Sequence, residues 1–419
     1  MLKKIKNNFN FLNFPLFLFP FFIITGPLLP ELLIVYSFFV TFFYIKSFRR
    51  LIFLYRNYIF IFLLWCFFLL ISSLNSKFLW LSLETSLFYF RYGILTIVFL
   101  FLLIKFKEQE KLLYISFLIS LIFILINSNI QLLVGEDLFG NLYDQKRLTS
   151  LFGDEKILGD YFINFLPLII ALSFSFLNKF KYLTLFIVLI LSNSFILILF
   201  SGERTSIFYA LLYLIFFMLF APKNKKIYLS LILFIFILIS GILIFNNKVK
   251  ERVVNETIRN FTINLAGNSE KTIFIFSQQH QYYYQTAYNI FINSNKLIGS
   301  GPKTYRELCK LEENKSFYDT NIVCSTSPHN YYVQLLTETG IIGFLTVSFI
   351  FFYFLIQIIN LKINDTYNSF KLRSVLFVLM TNLFPFLPSG SVFNNYYTII
   401  IFFYFSLYLF YRNEVKINL

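Results

Sequence analysis

Only two histidines occur in the 419-residue chain, and one of them stands where an enzyme would keep a titratable group. His329 lies in Pro328-His329-Asn330, at the end of a long polar stretch, and a long apolar segment follows at once. An imidazole can accept a proton or donate a hydrogen bond to a phosphate near neutral pH. We interpret His329 as a candidate catalytic group; the alternative is a structural histidine beside Asn330, a suitable helix N-cap.

Three arginines are the next candidates, because each lies at or near one end of an apolar segment. A charge close to the hydrocarbon is costly unless it is paired or hydrated, and the planar guanidinium fork suits phosphate oxygens. Arg91, Arg147 and Arg204 are therefore candidate phosphate-binding residues. For Arg204 the alternatives are a salt bridge to Glu203 or a snorkelling anchor. For Arg147 the alternative is a salt bridge to Asp154 or Glu155.

Two further polar residues could contribute to the same site. His280 lies beside a run of tyrosines in the polar stretch and is a candidate substrate-binding residue. Glu338 follows His329, but on a regular helix it lies roughly 180° around the axis from it, so a direct pair is excluded. Glu338 is expected to meet Gln334 one turn earlier, or another helix.

The chain lacks the patterns of several enzyme classes. With two histidines and no clustered loop carboxylates, the sequence predicts no bound metal. No phosphate-binding glycine loop, nucleophile elbow or dinucleotide fingerprint is present, so no other cofactor is expected. Any phosphate charge would then be neutralised by arginine.

These residues must be positioned by membrane helices. Hydrophobic residues make up 58% of the chain and charged residues 14%, and apolar runs near the length needed to span a bilayer recur throughout. The sequence predicts an all-α polytopic membrane protein with about twelve transmembrane helices. The predicted spans are 9–25, 30–45, 57–74, 87–104, 112–132, 156–177, 182–200, 206–221, 227–246, 331–360, 374–388 and 395–411.

The distribution of lysine and arginine predicts the orientation of the spans. Most of these residues outside the long 247–330 segment lie in alternate short loops, which the positive-inside rule places in the cytoplasm. Both termini are therefore predicted to be cytoplasmic, and 247–330 is predicted to form one large periplasmic loop. It would separate an N-terminal membrane bundle, 1–246, from a C-terminal bundle, 331–419. Basic residues placed in this way indicate topology, and no nucleic acid partner is expected.

The predicted outer loop has its own organisation. Cys309 and Cys324 both lie in it, and in an oxidising periplasm they could form a disulfide that contributes about 3 kcal/mol. Two unpaired thiols are the alternative. The segment 274–292 places Tyr283, Ala287, Ile290 and Phe291 on one helical face, which predicts a helix lying at the membrane interface.

Short motifs occur in a fixed order along most of the chain. The most specific is a histidine-asparagine-aromatic sequence followed by Glu-x-Gly-Ile-x-Gly at the entrance of a span, after a Gly-x-Gly segment. The motifs are Gly26-Pro27, Phe90-Arg91-Tyr92, Gly135, Arg147-Leu148, Gly153-Asp154-Glu155, Gly159, Gly202-Glu203-Arg204-Thr205-Ser206, Asn295-Lys296-Leu297-Ile298-Gly299-Ser300-Gly301-Pro302-Lys303 and Pro328-His329-Asn330-Tyr331 with Glu338-Thr339-Gly340-Ile341-Ile342-Gly343. Together they resemble the O-antigen ligase/O-antigen polymerase superfamily.

The resemblance implies a GT-C-like glycosyltransferase in the bacterial inner membrane, active at the periplasmic face. Its partners would be an undecaprenyl-diphosphate-linked glycan donor, a glycan or lipid A-core acceptor, and membrane lipids. It implies that Arg204 holds the diphosphate and that His329 acts at the acceptor or the phosphate, with Asn330 and Glu338 in the same motif. Relatives often carry a further arginine early in the outer loop, ahead of the Gly-x-Gly segment; here His280 is the candidate replacement, and Arg259 is a more distant candidate. The competing interpretation is a flippase or transporter of the lipid-linked glycan.

Overall fold

Apolar helices dominate the computed structural model. The structure describes residues 14–26, 28–106, 108–144, 146–222, 225–264, 271–273, 277–315, 324–361 and 367–417. The first residues of the predicted 9–25 span and residues 274–276 of the predicted loop helix lie outside these ranges. The described part of the N-terminal half forms the helices α1 Phe14–Phe22, α2 Leu28–Phe43, α3 Ile45–Leu54, α4 Arg56–Leu74, α5 Leu79–Leu87, α6 Phe90–Lys105, α7 Gln109–Val134, α8 Leu158–Phe176, α9 Leu183–Ser201, α10 Arg204–Phe220 and α11 Lys225–Phe245.

Shorter elements fill the segment that follows. They are α12 Asn247–Lys250, a π-helical turn Glu251–Asn255, α13 Glu256–Phe261, the antiparallel pair β1 Thr262–Asn264 and β2 Lys271–Ile273, α14 Gln278–Asn293 and α15 Tyr305–Leu308. Three long helices complete the described chain, namely α16 Tyr331–Asn360, α17 Tyr367–Asn382 and α18 Asn395–Ile417. This change from long apolar helices to short elements coincides with the predicted 247–330 loop.

The protein is a polytopic membrane protein. Among the described residues, seven helices are long and apolar enough to cross a bilayer: Arg56–Leu74, Leu79–Lys105, Gln109–Val134, Leu158–Phe176, Leu183–Ser201, Lys225–Phe245 and Tyr331–Asn360. Leu28–Phe42 and Arg204–Phe220 are apolar but shorter. The predicted total of about twelve spans stays a prediction.

The helix α8 lies at the centre of the bundle, with 89% of its apolar window buried. It packs against α17, which packs against α18, and α18 packs in turn against α6. By contrast only 17% of the corresponding window of α4, α11 or α16 is buried, as expected for helices whose apolar side chains face lipid. The first turn of α8 therefore lies where several enclosed helices converge, and it carries part of the site described below.

A break in α16 fixes the loop that precedes it. Gly340 has φ 65° and ψ −167°, outside the helical region. This break frees backbone groups to pair with the segment 295–301, where Ser300 N donates to Thr337 O (3.1 Å) and Gly301 N donates to Glu338 O (2.9 Å). A Cβ atom on Gly340 would lie 2.4 Å from the Leu297 carbonyl oxygen. Only glycine fits this conformation and this close approach.

The carboxylate of Glu338 reinforces the same junction. It is fully buried and accepts hydrogen bonds from the backbone N–H groups of Lys303 and Tyr305, both at 2.9 Å. The Gln334 side chain, one turn earlier, donates to it at 2.9 Å, as the helical phase predicts. Glu338 thus ties the Gly-x-Gly segment to α16.

The outer segment packs around its own small core. Ala287 and Ile290, on the predicted face of α14, are buried with Tyr305, Leu308 and Cys309. Cys309 and Cys324 form a disulfide, with their Cα atoms 5.6 Å apart. The helix α14 also packs along α16, so the outer segment rests on the same helix that follows His329.

Candidate active site

Two adjoining cavities lie at the end of the bundle where α8, α10 and α16 begin. The first, which we call the histidine compartment, has a volume of about 290 Å³ and is lined by both histidines. The second, the arginine compartment, has a volume of about 330 Å³ and is lined by Arg147, Arg204 and Lys156. Five residues line both cavities and form their shared wall: Asp160, Thr205, His280, Pro388 and Tyr397.

His329 is held in an unusual backbone conformation at the edge of the histidine compartment. Its φ is 54°, in the left-handed region that few residues other than glycine adopt. The ring Nε2 lies 2.9 Å from Ser325 Oγ, and the carbonyl oxygen accepts a hydrogen bond from Ser389 N at 2.9 Å. Burial lowers the pKa of His329 below its usual 6.5, so the neutral imidazole predominates at pH 7 and can accept a proton.

His280 faces His329 from the outer segment. The two rings lie 6.1 Å apart, and Tyr283, one turn further along α14, lies 5.4 Å from the His329 ring. Ser277 caps α14 and its Oγ lies 2.7 Å from His280 Nδ1. Burial, together with the nearby His329 and Arg204, lowers the pKa of His280 to about 4. The only two histidines of the chain therefore share one cavity, and both are neutral at pH 7.

Asn330 positions His329 without lining either cavity. Its side-chain oxygen accepts the N–H groups of Tyr332 (2.9 Å) and Val333 (3.1 Å), which makes it the N-cap of α16. Its amide group donates to the carbonyls of Pro385 and Leu387 at 3.0 and 3.2 Å. Asn330 thus joins the start of α16 to the 385–390 loop, which closes one side of the histidine compartment.

The arginine compartment concentrates positive charge. Arg204 begins α10, and its Nη1 donates to Thr257 Oγ1 at 3.3 Å. Arg147 approaches from the loop after α7, where burial and the neighbouring Arg252 lower its pKa. A Cβ on Gly202 would lie 3.1 Å from Arg252 Cγ and 3.5 Å from Arg147 Cγ, so glycine leaves room for both side chains. Such mutually repelling guanidinium groups are suited to bind an anion with several oxygens.

The anticipated alternative for Arg204, a salt bridge to Glu203, is not formed. Glu203 instead accepts the N–H groups of Gly159 (2.8 Å) and Asp160 (3.1 Å), where a carboxylate is favoured by the helix N-terminus. Ser206 Oγ also donates to it at 3.1 Å. Burial, with a contribution from the Asp160 carboxylate, raises the pKa of Glu203. Glu203 therefore holds α8 against α10 and leaves Arg204 free of it.

Asp160 lies on the wall between the compartments. It accepts hydrogen bonds from Ser206 Oγ at 2.9 Å and from Tyr397 Oη at 3.0 Å. The sequence motifs did not indicate Asp160, although it directly follows Gly159, one of the residues that carry the resemblance. Tyr397, Lys156 and Arg252 were also missed: one is a tyrosine among many, and the others are cations in a basic chain.

Besides Asn330, two predicted site residues, Arg91 and Glu338, line neither cavity. Arg91 forms an ion pair with Glu31 at 3.0 Å and donates to Tyr92 Oη and Asn395 Oδ1 at 2.9 and 3.0 Å. Glu338 has its carboxylate occupied by the loop contacts described above. The structure therefore groups Arg147, Arg204, His280 and His329, and gives Arg91 and Glu338 structural contacts. Within the described ranges, no group of three or more His, Cys, Asp or Glu side chains is arranged to hold a metal ion.

Comparison with known families adds an independent finding. Residues 185–348 match the family model described as O-antigen ligase. This region begins in α9 and ends in α16, so it contains Arg204, His280 and His329, whereas Arg147 and Asp160 lie before it. No curated protein matches the chain.

Proposed function

We propose that this protein is a metal-independent, GT-C-like membrane glycosyltransferase of the O-antigen ligase/polymerase type. Its motifs resemble that superfamily, and residues 185–348 match the family model described as O-antigen ligase. The protein transfers or polymerises glycan from an undecaprenyl-diphosphate-linked donor onto a sugar acceptor at the periplasmic face. One observation carries the proposal: a compartment lined by arginines opens directly beside a compartment lined by both histidines. The first supplies charge for a leaving diphosphate, and the second supplies a base for an attacking hydroxyl.

The donor diphosphate occupies the arginine compartment. Arg204 and Arg147 offer paired N–H donors to the phosphate oxygens, and Lys156 adds a third positive charge. When the bond between the anomeric carbon and the diphosphate oxygen breaks, negative charge grows on that oxygen. Positioned cations stabilise that charge without a strong acid to protonate the leaving group.

The acceptor hydroxyl is bound near His329. Its oxygen attacks the anomeric carbon and forms the new glycosidic bond, while its proton passes to the neutral imidazole. Undecaprenyl diphosphate leaves, and the imidazolium then releases the proton to solvent. The ring centre of His280 lies 6.1 Å from that of His329, so His280 can contact the same acceptor and help to orient it.

The site faces the periplasm in this proposal, because it is built on the segment predicted to lie outside the membrane. Alkaline phosphatase is active only when exported, so fusions report the location of each loop. A fusion after Lys303 is expected to be active and one after Lys225 inactive. The reverse pattern would overturn the assignment of the active face.

Reconstitution tests the reaction itself. Purified protein in liposomes, supplied with a labelled lipid-linked glycan, is expected to yield longer lipid-linked chains or acceptor-linked product. Movement of unchanged substrate between leaflets, without new product, would indicate a flippase instead. The surface glycan of a deletion strain then distinguishes the two enzyme types. Lipopolysaccharide capped by a single repeat indicates a polymerase, and unattached long chains on undecaprenyl diphosphate indicate a ligase.

A further inference from the structure

The inner part of the histidine compartment differs in chemistry from the arginine compartment. Asn164, one turn below Asp160 on α8, lines it together with Thr381 and Asn382 at the end of α17. Tyr209 and Tyr331 complete the wall. Amides, hydroxyls and aromatic rings are groups that can bind the hydroxyls and the apolar faces of an uncharged polar ring.

The amide pair at the base of this compartment is held in a fixed arrangement. Asn164 Nδ2 donates to the Asp160 carbonyl at 2.9 Å, and Asn164 Oδ1 accepts from Asn382 Nδ2 at 2.5 Å. Asn382 Nδ2 also donates to the Val378 carbonyl at 2.9 Å. Both N–H groups of Asn382 are thus used, and its side-chain oxygen has no donor among the described residues. That oxygen is left to accept a hydrogen bond from a ligand hydroxyl.

Among the residues that line the histidine compartment, Asp160 is the one carboxylate. It accepts hydrogen bonds from the hydroxyls of Ser206 and Tyr397, which favour its ionised form. The two histidines that also line the compartment are half-buried and uncharged at pH 7. The nearby guanidinium groups belong to the adjoining compartment, where the diphosphate of a bound donor would neutralise them. A second carboxylate entering the histidine compartment would therefore be repelled by Asp160.

We propose that the histidine compartment binds the sugar attached directly to the donor diphosphate, and that it selects an uncharged sugar over one that carries a carboxylate. This inference rests on the proposed function, since it places the diphosphate in the arginine compartment next door. The volume of about 290 Å³ lies at the lower end of the range for ligand pockets, which suits one ring better than a longer oligosaccharide. Asp160 is the residue that determines this specificity.

Three synthetic ligands test the inference with the full-length protein in nanodiscs. They are farnesyl diphosphate, farnesyl diphosphate-linked glucose and farnesyl diphosphate-linked glucuronic acid; the last two differ only at C6, which is a hydroxymethyl group in glucose and a carboxylate in glucuronic acid. Microscale thermophoresis gives the Kd of each. We expect the glucose compound to bind at least about tenfold more tightly than the glucuronic acid compound. Equal affinities, or tighter binding of the glucuronic acid compound, would overturn the inference.

Binding of farnesyl diphosphate alone separates this inference from the proposed function. If farnesyl diphosphate binds and Arg204→Ala weakens its binding, the arginine compartment has its proposed role. The comparison of the two sugar-linked compounds then tests the histidine compartment alone. If none of the three ligands binds, the proposed function fails and the sugar inference fails with it.

Two variants assign the selectivity to Asp160. Asp160→Asn removes the charge while keeping an acceptor for Tyr397, and it is expected to bring the two affinities within about threefold of each other. Glu312→Gln is the matched control, because its side chain is 84% exposed and it should leave the ratio unchanged. If Asp160→Asn does not fold, Asn382→Asp adds a second carboxylate and should widen the ratio. An unchanged ratio in a folded variant of either kind refutes the role of carboxylate repulsion.

Discussion

The assignment of Arg204 to the donor diphosphate can be tested by two substitutions of different severity. Arg204→Ala removes the guanidinium, and Arg204→Lys keeps one positive charge but loses the planar fork. In the structure, the described hydrogen bond of this side chain is to Thr257 Oγ1, at 3.3 Å. The side chain forms no ion pair within the described residues, so its remaining donors are available to a ligand. The loss should therefore appear in turnover more than in stability.

The expected magnitudes follow from the number of contacts that each variant loses. Removing one positioned donor to a developing negative charge costs about 10²–10³-fold in kcat, or about 2.7–4 kcal/mol. We expect a loss of that size for Arg204→Ala. Arg204→Lys loses one of two charge-assisted hydrogen bonds, each contributing about 1.5–3 kcal/mol, and should be about 10- to 140-fold slower.

The assay is product formation from labelled lipid-linked glycan by protein reconstituted at matched amounts. Arg259→Ala provides the control, because Arg259 is also an outer arginine but its side chain is 70% exposed and paired with Glu251. It should retain nearly full turnover. Each variant must first reach the membrane at normal abundance, since a misfolded bundle would also lack activity. Near-normal turnover of Arg204→Ala would refute the diphosphate assignment.

Three further predictions concern His329, Glu338 and the disulfide. His329→Ala should lower turnover about 10²–10⁴-fold, and full activity of this variant would exclude His329 as the general base. Because burial lowers the pKa of His329, the activity of the wild-type protein should fall only below pH 6.5, where the imidazole becomes protonated. Glu338→Gln should impair turnover less, since Glu338 contacts backbone N–H groups rather than the cavity, and thermal unfolding should show the larger effect. Mass spectrometry of non-reduced protein should show Cys309 bonded to Cys324, and two free thiols would contradict this.

The sequence predicted the helical elements better than the neighbours of each side chain. Apolar runs define helices because a membrane requires internally bonded backbone, so α7, α8 and α9 follow the predicted spans closely. The proximity of His280 to His329 could not be predicted in this way. It depends on α14 packing along α16, a tertiary contact that no periodicity specifies.

The glycine motifs also form a tertiary contact that the sequence alone does not predict. The Gly-x-Gly segment and the Glu-x-Gly motif were recognised as patterns, but not as halves of one junction. Gly299 and Gly340 show why the pairing is specific, since a Cβ on Gly299 would lie 2.4 Å from the Glu338 carbonyl carbon and one on Gly340 would lie 2.4 Å from the Leu297 carbonyl oxygen. In a single sequence, a motif of this kind is equally consistent with a binding site and with a close backbone contact. Only the three-dimensional structure distinguishes these two interpretations.

Charge pairing separates the structural arginines and lysines from those proposed to bind substrate. Arg91 meets Glu31 at 3.0 Å, and the buried Lys371 meets Glu110 at 2.6 Å, so each of these charges is balanced by the protein itself. Buried charges are stable when they are paired in this way. Arg147 and Arg204 have no carboxylate at ion-pair distance in the described part of the chain, although both are partly buried beside a cavity. A buried charge without a partner is unfavourable. We therefore interpret Arg147 and Arg204 as residues whose charge is balanced by a bound anion. The diphosphate of the proposed donor carries charge and oxygen atoms that suit these two guanidinium groups.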